Sequence, residues 1–180
     1  MQLGATLAVV LNGAYALYAG LLLIAAVTDI WRFFIPNLVS LTLIVLLVVL
    51  GIYLGAPLTW WGLHLGAGAL LLVAGYLAWM LGLFGAGDVK LLAAVGMYAG
   101  VGQVHRMLLY IALAGGALAI ALIVLRRAVT LATVSLRARP EAVALPRVLL
   151  ERERVPYGVA IAAGAILAGY DLMPGLRILG

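Results

Sequence analysis

The acids of this 180-residue chain are Asp29, Asp88, Glu141, Glu151, Glu153 and Asp171, and its only histidines are His64 and His105. Cysteine is absent, which excludes thiolate nucleophiles, disulfides, iron–sulfur clusters and cysteine zinc sites by composition alone. A serine triad needs a serine, a base and an orienting group on one side, and Ser40, Ser135, His64 and His105 offer no such convergence in the topology read below. Neither HExxH nor paired-histidine spacing occurs, so no metal ligand set is assigned and no cofactor is expected. Two carboxylates are left. Asp29 and Asp88 are candidates for aspartic hydrolysis, in which two carboxyl groups share one proton: one activates a water while the other donates to the substrate carbonyl. Each also has a structural explanation, Asp88 as the cap of a helix N-terminus and Asp29 as an ion-pair partner of Arg32.

Positioning such a pair falls to elements that live in lipid. The chain is 67% hydrophobic and only 9% charged, with a mean hydropathy of +1.26, far from the balance of a soluble domain. Five apolar runs predict membrane spans, at 3–27, 38–54, 60–84, 107–125 and 157–172. A sixth, 89–104, reaches only about 24 Å as a helix, short of a full crossing, so its start at Asp88 is expected to sit below the membrane surface. Hydrocarbon demands internally satisfied backbones, and runs this continuous exclude alternating barrel strands. The expectation is an all-α integral membrane protein, a six-transmembrane-helix bundle forming one domain over 1–180. Glycines at four-residue spacing, Gly62 with Gly66 and Gly96 with Gly100, are expected to let its helices approach closely. The first apolar run lacks a positive leading region and is too long for a signal core, so it is read as a retained span.

Charge sets the orientation. Of the eleven basic residues, seven fall between Arg126 and Arg154, and the net charge is +5. These are read as topology signals and not as a nucleic-acid surface, with 126–155 as a basic cytoplasmic loop against the lipid bilayer. Alternation then brings Asp29 and Asp88 both to the cytoplasmic boundary and puts 55–59 and 100–106 outside. Tyr53, Trp60 and Trp61 flank the outer turn, where amphipathic rings settle at headgroup level.

The contexts of the two aspartates are specific. Asp29 is followed by Ile35-Pro36-Asn37; Asp88 ends Gly85-Ala86-Gly87-Asp88 at the head of a helix; and Pro156-Tyr157-Gly158 opens the last span. In these three motifs, their order and their spacing, the chain resembles the type IV prepilin peptidases over nearly its whole length. The resemblance implies that Asp29 and Asp88 are the catalytic aspartates, in a bacterial or archaeal inner membrane, and that the substrate is a prepilin or pilin-like protein losing a short cytoplasmic leader. The long members carry an N-terminal cysteine zinc motif and methylate the new N-terminus. Without cysteine, this chain is more similar to the short, peptidase-only members associated with tight-adherence (Flp) pili, and no N-methyltransferase activity is expected.

Other residues are read more modestly. Gly85, Gly87, Pro36 and Asn37 shape the site, while Pro156, Tyr157 and Gly158 form its floor. Lys90 points about 200° away from Asp88 on a helix, so it is expected to meet substrate or lipid and not that carboxylate. His64 is expected to face a neighbouring helix. Two competing readings stand beside the peptidase: a small ion- or solute-conducting protein, and an inactive pilin-assembly subunit. Acids gathered at one face, with none near mid-span, favour surface chemistry over conduction.

Overall fold

In a computed structural model the backbone is described for residues 2–135 and 155–175, and side chains for 4–131 and 155–169. Among these residues there are five helices and no strand: α1 (Gln2–Arg32), α2 (Asn37–Tyr53), α3 (Leu58–Met80), α4 (Ala86–Ser135) and α5 (Tyr157–Gly175). Three contain stretches long and apolar enough to cross a membrane: Gly4–Arg32, Leu58–Met80 and Ala86–Leu131. Asn37–Tyr53 and Tyr157–Gly169 are shorter apolar helices.

The count of six separate spans is therefore not what forms. The two expected segments 89–104 and 107–125 are one 50-residue element, interrupted only at Gly100, whose φ of 61° and ψ of 172° are non-helical. Glycine bears this left-handed conformation without a Cβ penalty, so a single residue makes the break and no loop is needed. Gly102, Gln103, His105 and Arg106, expected in a connection, are helical. Leu92 and Ile111 would lie about 28 Å apart along a straight helix, yet they line one groove, so the arm 101–135 turns back along the arm 86–99. Helix also continues past 125 to Ser135, shortening the expected basic loop from its start; its remainder, 136–154, lies outside the described residues.

The arm 86–99 is the centre of the molecule. Every residue from Leu91 to Gly100 is buried, with α2, α3 and α5 packed against α4. Small residues make this possible: Ala93, Ala94, Gly96 and Ala99 leave room for facing backbones. A Cβ at Gly96 would strike Leu71, one at Gly68 would strike Met97, and one at Gly164 would press on the Ile111 backbone. Of the glycine pairs expected to mediate packing, Gly96 and Gly100 do so, whereas Gly62 and Gly66 face open space.

Three tyrosines tie the helices by donating to backbone carbonyls of their neighbours. Tyr15 Oη reaches the Ile166 carbonyl at 3.1 Å, Tyr18 Oη that of Ala165 at 3.2 Å, and Tyr98 Oη that of Leu43 at 2.7 Å. The Tyr18 and Tyr98 rings meet at 4.6 Å in the same core. Each phenol buries a large apolar face while keeping its hydroxyl satisfied. The outside of the bundle is as apolar as the inside, with Leu38, Ile52, Leu63, Leu70, Val73, Leu77, Leu113 and Val124 all exposed. An apolar surface of this extent suits hydrocarbon and not water, so a multi-pass membrane protein is the consistent reading.

At the end of the bundle carrying 51–64, the aromatic residues are packed as well as peripheral. The Trp61 ring lies over Gly51, leaving no room there for a Cβ, while Trp60 meets Trp61 edge-on at 5.0 Å and stacks on His64 at 3.9 Å. His64 Nδ1 in turn donates to the Met97 carbonyl at 2.5 Å. Met97 lies in the last turn before the Gly100 break, where helix carbonyls lose their intrahelical partners. The neighbouring-helix role expected of His64 is thus a specific one: it caps a broken helix from the side.

Candidate active site

Asp29 sits one turn from the end of α1. The helix runs through it to Arg32 and stops at Phe33, which adopts a left-handed φ of 49° while its amide still bonds to the Asp29 carbonyl at 2.9 Å. This helix end lies beyond the expected boundary at 27, because the left-handed residue at 33, and not the polarity of Asp29, ends it. Arg32 is exposed whereas Asp29 is only 5% exposed, so the two sit in different environments on the same turn.

Asp88 lies in the first turn of α4, 9% exposed. Its Oδ2 accepts a hydrogen bond from the Gly85 amide at 3.1 Å, the backward half of a capping box. The helix-cap explanation therefore holds for one oxygen of this carboxyl, and the rest of the group faces the site. Gly85 tolerates little else, since a Cβ there would approach Asp88 Oδ2 to 3.0 Å.

Both carboxyl groups line one cavity of about 350 Å³, together with Phe33, Phe34, Ile35, Asn37, Gly85, Ala86, Gly87 and Lys90. They are close enough to interact electrostatically, and the backbone amide of Gly158 acts on the charge of both; the Val159 amide acts on Asp29 as well. These amides belong to the first turn of α5, where free N–H groups and the helix dipole favour negative charge. One Asp29 oxygen, Oδ2, is buried and has no hydrogen-bond partner among the described residues.

Three sequence motifs meet at Ile35. A Cβ at Gly87 would come within 3.1 Å of the Ile35 Cβ, and one at Gly158 within 2.6 Å of its Cδ1 and 2.8 Å of Asp29 Oδ2. A side chain at 158 would force something to shift, and one at 87 would need Ile35 to give by a few tenths of an ångström. Pro36 precedes α2 in extended conformation, and Pro156 is fully buried before α5. Tyr157 packs edge-on against Phe84 at 5.1 Å, joining the last helix to the segment leading into Asp88.

Among the described residues Lys90 makes no hydrogen bond or ion pair with either aspartate, in keeping with its helical angle, but it does line their cavity. Its Nζ donates to Asn37 Oδ1 at 2.9 Å across the mouth between α4 and α2. Sequence reasoning missed this pair, as well as Ile35 and the aromatic wall of Phe33 and Phe34. The only available signal was that all of them lie within a few residues of the two motifs.

Two larger cavities, of about 550 and 500 Å³, are lined mainly by apolar side chains and contain neither aspartate. The model of the type IV leader peptidase family matches residues 16–122, a stretch that includes Asp29, Ile35-Pro36-Asn37 and Gly85 to Lys90 and ends before Pro156. No curated protein and no solved structure gives a significant match. With more than half of its length matched, the chain belongs to the type IV leader peptidase family.

Proposed function

We propose that this protein is a membrane aspartic endopeptidase that removes the short cytoplasmic leader of prepilin or pilin-like precursors, with Asp29 and Asp88 as its catalytic pair. The observation carrying this reading is the sharing of one cavity and one backbone amide by two buried carboxyl groups from helices distant in sequence. Routine helix caps would not converge in this way.

In the reaction, one aspartate is ionised and takes a proton from a water that attacks the scissile carbonyl carbon. The other is protonated and donates to the carbonyl oxygen as it becomes tetrahedral. Collapse returns a proton to the leaving amine, breaks the C–N bond and leaves a carboxylic acid on the leader. No covalent intermediate forms. The amides of Gly158 and Val159 hold the ionised carboxylate without neutralising it, while the apolar walls keep the pair from dispersing its charge into water.

Family membership supports the leader-peptide substrate. A finer point belongs to the same proposal. Basic residues from Arg126 onward support a cytoplasmic site.

The test is leader removal from a prepilin-like precursor by detergent-solubilised protein, comparing wild type with Asp29→Asn and Asp88→Asn separately. Cleavage by wild type and by neither variant is expected. Undiminished cleavage by either variant would sink the two-aspartate mechanism.

A further inference from the structure

Between the second half of α3 and the first turns of α4 lies a smaller cleft, of about 210 Å³. Leu72, Tyr76 and Trp79 line it from α3, at the spacing that puts three side chains on one helix face. Ala86, Val89 and Lys90 line it from α4. The two helices touch beside it, since a Cβ at Gly75 would come within 3.0 Å of Val89 Cγ1. The cleft is thus a furrow over helices in contact, with width for one extended chain and not for a third helix.

Its surroundings are apolar, with one charge. Tyr76 and Trp79 are about half exposed, with rings 5.4 Å apart, and Met80, Leu81 and Leu83 beyond them are more exposed still. Large apolar side chains standing out from the connection after a helix suit hydrocarbon and not water, so lipid reaches past the cleft to this rim. Lys90 is the cation of the cleft. Its Nζ donates to Asn37 Oδ1, and the described residues give that ammonium no other acceptor and no carboxylate partner. At an apolar rim, an ammonium without a counter-charge from the protein draws one from its surroundings. Tyrosine and tryptophan, each a polar tip on an apolar ring, are the side chains that settle at headgroup level.

We infer that this cleft binds an anionic phospholipid of the leaflet at the aspartate end, with its phosphate on Lys90 and one acyl chain along Tyr76, Leu72 and Val89. A polypeptide is the poorer occupant. Extended in the furrow, it would leave backbone amides unpaired against apolar walls, whereas an acyl chain has none to satisfy. Lys90 also lines the aspartate cavity and holds Asn37 across its mouth, so a phosphate bound there becomes part of the wall of that cavity. The assignment rests on the cleft and its charge, and is independent of the peptidase reading.

The test reads lipid contact at Trp79 itself. With Trp31→Phe, Trp60→Phe and Trp61→Phe combined, Trp79 is the remaining tryptophan, and its fluorescence in vesicles is quenched by phosphatidylglycerol or phosphatidylcholine brominated on the acyl chain. Brominated phosphatidylglycerol is expected to be favoured by about fivefold, the factor that one basic residue contributes near an anionic surface. In folded protein, judged by thermal unfolding, Lys90→Arg should keep the preference and Lys90→Gln should remove it. Arg32→Gln, which removes another exposed cation at the same end of the bundle, should leave it in place. In the unaltered chain, phosphatidylglycerol should be enriched over phosphatidylcholine among the lipids retained through detergent purification from mixed vesicles. Equal quenching by the two lipids, or no such enrichment, would overturn the site. So would a preference lost equally in Arg32→Gln, which would make the effect diffuse surface charge. Displacement of the brominated lipid by inorganic phosphate would make free phosphate the ligand and overturn the lipid assignment.

Discussion

At the residue scale, Asp29 keeps Oδ2 buried without a hydrogen-bond partner among the described residues. That is an arrangement stability alone would not select. An amide there costs less to bury than a charge, so Asp29→Asn should abolish cleavage yet leave the thermal midpoint in detergent unchanged or raised. Loss of a proton-transfer group predicts a drop in kcat of about 10²–10⁴-fold for Asp29→Asn and Asp88→Asn alike, read by single-turnover cleavage. Gly158→Ala attacks the same centre sterically. Its methyl group would meet Ile35 Cδ1 and Asp29 Oδ2, and moving either costs about 1–3 kcal/mol, so both unfolding temperature and activity should fall. Unlike Asp29→Asn, this variant should not separate stability from function.

At the scale of elements, the feature to perturb is the break in α4. His64 supplies a donor to the Met97 carbonyl beside Gly100, where a Cβ would also approach the imidazole to 3.0 Å. His64→Leu retains bulk but removes the donor, and should destabilise the protein by about 1–3 kcal/mol in detergent unfolding. Cleavage per folded molecule should persist, because the residue lies at the far end of the arm from Asp88. Much of this level was legible in the sequence. Helix positions followed from apolar run length, and the aspartates stood out because acids are scarce and both lay at helix ends. The break itself falls, by sequence, in the seven-residue window 100–106, since polarity suggests a loop, whereas the backbone turns at one glycine. Lys90 and Asn37, separated by 53 positions, could not be paired from helical angles, which describe one helix at a time. Likewise the glycines at 68, 75 and 164 are packing sites only because of what faces them, which spacing within one helix does not reveal.

At the scale of the whole molecule, a cysteine-free sequence makes orientation directly measurable. Single cysteines introduced at Phe34, Leu83 and Gly55 have no native thiol to compete with. Phe34→Cys and Leu83→Cys should react with a membrane-impermeant maleimide only after the cytoplasmic side is opened, and Gly55→Cys should react from the outside of intact cells. Labelling of all three from one side would contradict the alternating topology. The bundle's tyrosine ties run from α1 to α5 and from α4 to α2, so helices remote in sequence are fixed to each other independently of the connections between them.

The burial of the arm 86–99 bears on how the enzyme comes into being. This arm begins with the segment carrying Asp88 and Lys90, spans about 21 Å and is buried continuously from 91 to 100 by other parts of the chain. Short of a full crossing and dependent on protein neighbours, it has little to hold it in lipid before those neighbours arrive. One of them, α5, is the last described helix, and it alone brings the Gly158 amide to the two carboxyl groups. During synthesis the site would therefore stay incomplete until α5 docks, and the protein would be born as an inert precursor of itself. A chain ended at residue 135 should enter membranes yet cleave nothing, and supplying residues 136–180 as a separate polypeptide should restore activity, as leader removal in proteoliposomes would show.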